Sequence, residues 1–551
     1  MSLLGKRWKI LQDDAGKPVL KKLLEARGFS ELPSNSAPLE QLHDPYLMHD
    51  LERACERLEL AKERGEKVVV FGDYDVDGVT ATAVLVRTLH KLGITVSYRI
   101  PHRVRDGYSL KNYFLDELAA LGVTLVITVD NGIAAAREIA HAIDLGMDII
   151  VTDHHTPPPK DELPTAHSIL NPKMEGCTYP CKELSGSAVA MKLCLALVQR
   201  NMPEGEARDA FCDRLYQVAG IGIVADCMQL VGENRSIVQL CLNSIRRNPL
   251  KGVEALLTKA GIDHTTVRAA DISFAMAPRL NAAGRLDSAY DALHLFLNQS
   301  DAVTTIAHRL DVLNVERRTM TQDAFHEAQL AMMGADEKIA IVLGEHWPPG
   351  VIGLVASRLV DALSIPAIVF AKKGDEYVAS CRSIAGFDMV AELRIFADMF
   401  EHFGGHAMAA GLSIRADRFP LFKEAMQVHA RHVLQDRDLT PVLLVDTDIL
   451  PHELTLETIE SMSALEPFGL GNPEPLFLLR QVRPMYVRAV GADKSHLSFS
   501  AEGIKGIAFR MGQHAPTIEG KLVDIVLSLD VNTWQGKSSA QMIVRDMLVH
   551  N

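Results

Sequence analysis

"VVVFGDYDVDGVTATAV", residues 68–84, is the stretch on which the reading of this chain turns. Four apolar β-formers run into Gly72, and three aspartates follow at alternate positions, Asp73, Asp75 and Asp77. Gly78 and a helix-like stretch come next. A short continuous apolar run bounded by glycine fits a strand buried on both faces. The pattern then repeats, with strands predicted over 67–72, 94–100, 124–129 and 148–152 and helices over 79–92, 112–121 and 133–145. That alternation predicts an α/β fold, a parallel sheet covered by helices.

The charge at the end of the first strand has counterparts. "LVITVDNG" (125–132) ends its strand at Asp130, and "DIIVTDHH" (148–155) ends at Asp153, His154 and His155. A fourth apolar run, "VAGIGIVADCMQL" (218–230), delivers Asp226. Open α/β sheets bind ligands at the carboxyl ends of their strands. One such aspartate is ordinarily a helix N-cap. Four segments supplying carboxylates, with two histidines, would repel one another and be driven to protonate unless cations lie between them. Oxygen ligands with one or two imidazoles suit Mn²⁺ or Mg²⁺. Two such ions about 3.5–4 Å apart can clamp a phosphoryl group and acidify a water. A dinucleotide fold is the competing idea, but "GDYDVDG" is not G-x-G-x-x-G, and its carboxylates would repel a pyrophosphate.

The bulk numbers set the frame. A chain of 551 residues is too long for one core. With 48% apolar and 23% charged residues it should fold as ordinary globular domains. The net charge of −13 argues against a nucleic-acid-coated protein without excluding a local basic groove. Eight scattered cysteines, of which only Cys177 and Cys181 lie close, predict free thiols rather than a structural zinc site. Lys6, Arg7 and Lys9 precede no apolar segment, and no run reaches membrane-spanning length, so a soluble, cytoplasmic protein is expected. The expected divisions are an N-terminal extension at 1–44, the parallel-sheet domain at 45–270, a helical connector at 271–335, a smaller α/β domain at 336–435 and an all-β domain at 436–551. The connector follows from the absence of Gly and Pro between Arg285 and Met333.

"GDYDVDG", "TVDNG", "TDHH" and "GIVAD", in that order, resemble the four motifs of the DHH phosphoesterase superfamily. "GGHAMAAG" (404–411) resembles the signature of the associated DHHA1 domain. "APRLNAAGRLDSA" (277–289) and "PFGLGNPEP" (467–475) narrow the likeness to the branch of single-strand-specific 5′→3′ DNA exonucleases of DNA repair and recombination. The resemblance implies DHH, DHHA1 and C-terminal OB-fold domains and release of 5′-mononucleotides by a two-metal mechanism. It implies Asp75, Asp77, Asp130, His154 and Asp226 as metal ligands, with Asp130 bridging. His155 would contact the reacting phosphate, Asp153 would orient a histidine, and Asp73 could be a ligand but would sooner be structural. Substrate would be held by Arg103, Arg279, Asn281, Ser380, Arg382, Gly404, Gly405 and His406. The implied partners are single-stranded DNA bearing a 5′ phosphate, single-strand-binding protein and a RecQ-type helicase, with the chain acting as a monomer.

In the last domain Phe477, Tyr486, Phe499, Phe509 and Trp534 are available, and one or two are expected to stack on bases. One departure stands out: Pro348 fills the position after Trp347 where that family usually has histidine. Two other functions share the fold, a phosphodiesterase of short oligonucleotides or adenosine bisphosphate, and a replication scaffold with a broken metal site. The barrel and connector argue against the first, the intact acidic residues against the second.

Overall fold

The computed structural model describes residues 2–14, 16–30, 37–334 and 336–550, and of Trp534 only the backbone. The chain forms two compact units: Ala37–Gln435 with Gly469–Asn472, and Met1–Ser36 with Asp436–Phe468 and Pro473–Asn551.

In the larger unit five strands make an all-parallel sheet in the order Val96–Arg99, Lys67–Phe71, Val123–Val129, Asp148–Thr152, Ser168–Leu170. The apolar run is continuous because both faces are covered. Val68, Val70, Leu125 and Ile127 enter one core cluster, while Val69, Phe71, Val126 and Ile149 enter another. The chain leaves Lys67–Phe71 for one neighbour and returns on its other side, so the sheet has a switch point beside Val123–Val129.

The segment that delivers Asp226 is helical. Glu206–Ala225 is one helix, and residues 215–224 are buried on every side. A short apolar run without period fits a buried helix as well as a strand. The connector comprises the helices Ala277–Leu286, Tyr290–Leu297 and Ala302–Met332, broken at 298–301. The last has 31 residues, a rod about 46 Å long.

Beyond it lies a five-stranded sheet in the order Phe400–His406, Ala409–Arg415, Glu376–Arg382, Ala367–Lys373, Ala340–Gly344. The first two strands were not apparent in the sequence. "GGHAMAAG" is an antiparallel hairpin in which Gly404 faces Gly411 and Gly405 faces Ala410.

The second unit carries an eight-stranded sheet. Its edge strand, Arg7–Gln12, runs parallel to Val442–Asp448 with Arg7 opposite Val442. Residues read as a patternless extension therefore supply a strand here, with Trp8 and Ile10 packed beside Val445, Leu478 and Val526. Six residues with only two clearly apolar inward positions gave too little periodicity to mark it. Among the described residues no helix is long and apolar enough to cross a membrane.

Candidate metal and phosphate site

The sheet brings the sequence-predicted carboxylates together at its switch point. Asp73, Asp77, Asp130, Asp153 and His154 are buried there, and Asp226 reaches them from the end of its helix. The His154 Nε2 lies 3.1 Å from Asp130 Oδ1, 3.7 Å from Asp226 Oδ2 and 3.9 Å from Asp77 Oδ2. Three donor sets have ligand atoms within 4.8 Å of one another: Asp77, His154 and Asp226; Asp130, His154 and His155; Asp73, Asp75 and Asp130. His154 belongs to two sets and Asp130 to two, so the site is extended rather than single. Asp73, expected to be structural, stands among the donors.

A divalent cation fits this donor set. Asp73 Oδ1 and Asp130 Oδ1 are buried without a hydrogen-bond partner, the latter despite its closeness to His154. Burial first, and then neighbouring carboxylates, push Asp73, Asp130 and Asp226 well above the ordinary carboxylate range. Such groups cannot all be ionised without a positive partner.

The scaffold around them is specific. Asp130 sits at φ 60, a left-handed conformation that Asp adopts more readily than most residues. The helix Gly186–Asn201 points its N-terminus at the cluster, where Gly186 and Ser187 N–H donate to the Asp77 carboxylate at 2.6 and 3.0 Å. A Cβ on Gly186 would fall 2.6 Å from Asp130 Cβ, so only glycine allows this approach. Asp75 keeps the N-cap role, accepting from Gly78 N–H at 3.1 Å, while its cluster partners lie alongside.

Asp153 is surrounded by local hydrogen-bond donors. Its Oδ1 accepts from the His154 and His155 amides and from His155 Nδ1 at 2.8 Å, and its Oδ2 from Ile133 N–H. Burial acts to raise Asp153, but the His155 hydrogen bond and charge prevail and hold it below the usual range. His155 moves the other way: burial acts to lower it, and Asp153 raises it. Tyr108, missed in the sequence, places its hydroxyl 3.1 Å from the Asp130 carbonyl and 3.3 Å from His155 Nδ1. Its position in "IPHRVRDGYSL", beside the arginines, was the available signal.

Arginines surround the cluster on the connector and second-sheet side. Arg103 lies over the Tyr74 ring at 4.1 Å with a buried, partnerless Nε. Burial, followed by the charges of Arg103, Arg317 and Arg382, acts to lower the Arg285 pKa. A guanidinium keeps its proton regardless, so this arrangement creates a demand for an anion. Arg382 donates to Ser380 Oγ at 3.2 Å, and a Cβ on Gly353 would lie 3.0 Å from that oxygen. Gly353 is in the first turn of the helix Ile352–Leu363, so its N-terminus adds a partial positive charge beside Ser380 and Arg382. Asn281 Oδ1 is buried without a partner.

Arg279 is otherwise engaged, with Nε on Asp311 at 2.9 Å and Nη1 on the Ala275 carbonyl. Gly404, Gly405 and His406 are exposed on their hairpin, and among the described residues no hydrogen bond or ion pair joins them to the carboxylates. His346 pairs with Glu327, which also accepts from the Trp347 indole, so it does not stand in for a histidine at Pro348. Of the barrel aromatics Phe477 and Phe499 are core, whereas Tyr486 and Phe509 are exposed at 82% and 54%. The Trp534 side chain lies outside the described residues.

Three family models match the chain: the DHH family N-terminal domain over 67–223, the DHHA1 domain over 336–429 and the RecJ OB domain over 445–546. The single-stranded-DNA-specific exonuclease RecJ of Bacillus subtilis is 36% identical over 98% of this chain and 71% of its own length. That of Escherichia coli is 33% identical over 96% of this chain and 95% of its own. Among solved structures, Thermus thermophilus RecJ in complex with Mn²⁺ superposes with a TM-score of 0.82 at 29% identity, covering 98% of this chain and 79% of that one. An exonuclease RecJ bound to manganese has a TM-score of 0.62 at 31% identity, covering 71% of this chain and 98% of that one.

Proposed function

The chain belongs to the RecJ family of single-stranded-DNA-specific exonucleases, and from that premise we propose that it degrades single strands from the 5′ end, hydrolysing phosphodiester bonds and releasing 5′-mononucleotides. The observation that carries the chemistry is the overlap of donor sets at Asp130 and His154, with carboxylate oxygens left unpartnered. Asp75, Asp77, Asp130, His154 and Asp226 would hold two divalent cations, Mn²⁺ or Mg²⁺, and Asp73 joins them on its geometry. When bound, such cations neutralise charge on the scissile phosphate and make water a better nucleophile.

The chain's own groups do the rest. Protonated His155, kept so by Asp153, donates to a phosphate oxygen, and Tyr108 limits its swing. Arg103, Arg285, Ser380 and Arg382 hold the terminal 5′ phosphate, whose bidentate recognition guanidinium forks favour. Asn281 and Arg279 meet the next part of the strand, Arg279 after exchanging Asp311 for phosphate. Gly404, Gly405 and His406 offer main-chain and imidazole donors from the hairpin. Exposed Tyr486 and Phe509 give bases a stacking surface on the barrel. Single-strand-binding protein and a RecQ-type helicase would supply the unwound substrate.

End-labelled single-stranded DNA, incubated with Mn²⁺ or with EDTA, tests the reading. A 5′ label should appear at once as mononucleotide in Mn²⁺ and stay on full-length strand in EDTA. Loss of a 3′ label first, or cutting unaffected by EDTA, would overturn it.

A further inference from the structure

One end of the helix Ala277–Leu286 is fixed at the carboxylate cluster. A Cβ on Gly284 would overlap the carbonyl of Tyr74, which lies between Asp73 and Asp75, and Arg285 donates to the Gly350 carbonyl at 3.1 Å. The other end is continuous with a π-helical turn, Ile272–Met276, closed by the Ala277 amide donating to the Ile272 carbonyl. Pro278 accounts for the wide turn. It has no N–H for the Phe274 carbonyl four residues back, and its ring crowds that oxygen. Ile272 and Met276 are fully buried and pin the turn in the core. Phe274, between them, is 82% exposed.

Phe274, Pro278, Asn281 and Arg285 fall at i, i+4, i+7 and i+11, along one face of the helix, whereas Met276, Ala277, Leu280 and Ala283 are buried. That face begins at Arg285 in the arginine cluster, passes the partnerless Asn281 Oδ1 and ends on the phenyl ring. Arg279 Nη1 donates to the Ala275 carbonyl at 2.9 Å, which holds a guanidinium beside the same turn. Phe274 lies about 15 Å from Gly284 along the axis.

We propose, on the reading of the chain as a single-strand exonuclease, that Phe274 stacks on an unpaired base of the DNA and so positions the strand along this helix. At ~3.4 Å per stacked nucleotide, that base is within about five nucleotides of the 5′ phosphate. A ring standing in water on a backbone locked at both sides offers its π-face at little ordering cost. Aromatic platforms beside phosphate-binding cations are what hold single strands. A paired base has both faces covered by its neighbours in the duplex, so the ring selects single strands over double ones. A protein partner would also take an exposed ring, but a helix face that leads into an anion site favours DNA.

Binding of 5′-phosphorylated single strands to the full chain in EDTA tests this, with an abasic site placed in turn at each of about the first six positions. One abasic position should weaken binding by the parent about tenfold, the scale of one stacked base. Phe274→Ala should lose the same factor on the intact strand and nothing further at that abasic position. Phe274→Trp should restore both the affinity and the abasic effect. In Mn²⁺ the KM of Phe274→Ala should rise with its Kd while kcat falls far less. Equal melting temperatures would show that the ring, not the fold, was changed. The proposal falls if Phe274→Ala binds the intact strand as tightly as the parent, which would leave the ring to a protein contact, or if its loss and the abasic losses add at every position. A parent that fails to shorten 5′-labelled strands in Mn²⁺ would instead sink the nuclease reading itself.

Discussion

Asp130 combines a backbone at φ 60 with a carboxylate oxygen that no protein group satisfies. Asparagine tolerates the same backbone, so Asp130→Asn separates charge from shape. Activity should fall by at least about 100-fold, the upper range for disturbing a group that only supports a metal ligand. Because burial and neighbouring carboxylates raise Asp130 in the folded state, its charge opposes folding at neutral pH. The variant's melting temperature in EDTA should therefore be no lower than the parent's, while the rise on adding Mn²⁺ shrinks; a lower value in EDTA would contradict the repulsion argument. Asp153→Asn tests the other histidine. Asp153 holds His155 above its ordinary value, so the proton is retained to higher pH and lost as pH rises through that raised pKa. Without the carboxylate, the alkaline fall in kcat should move to lower pH, with about 10–100-fold lost at neutrality. Arg382→Ala should cut the preference for a 5′-phosphorylated end by about tenfold, the scale of one charge-assisted contact.

At the scale of elements, the helix Gly186–Asn201 does as much for the site as the strands, yet it left little trace in the sequence. "SGSA" at 185–188 reads as an ordinary capped helix start; what it touches is decided by folding. Gly186→Ala should destabilise the protein by about 1–3 kcal/mol in urea unfolding, as overpacking does, and weaken Mn²⁺ binding by displacing Asp130. Unchanged stability would mean that the helix has room to retreat. The strand-end aspartates were legible because a parallel sheet fixes where strand ends lie. Asp226 was legible as a residue but not as part of a helix, since burial on all sides removes the period. The 404–411 hairpin was hidden for a different reason: glycine and alanine carry no alternation of polarity. Tyr108 and Gly353 act through contacts distant in sequence, which no local pattern records.

For the whole molecule, trimming must respect the units rather than the order of the chain. A chain ending at 435 would keep Arg7–Gln12 and remove the Val442–Asp448 strand beside which it lies. Residues 1–435 should therefore aggregate more than 37–435, as an apolar edge without its neighbour does. Light scattering of the two would decide, and equal behaviour would show that the strand is dispensable to solubility. The trimmed 37–435 should keep cleavage at saturating DNA while binding more weakly, with a shallower salt dependence. The same pairing reaches into biosynthesis. Trp8 and Ile10 leave the ribosome well before the sheet that shelters them is translated, roughly half a minute or more earlier at ~5–20 residues per second. Throughout that interval the nascent chain trails an unsheltered greasy ribbon, and a slow ribosome would lengthen the time in which a holdase can seize it.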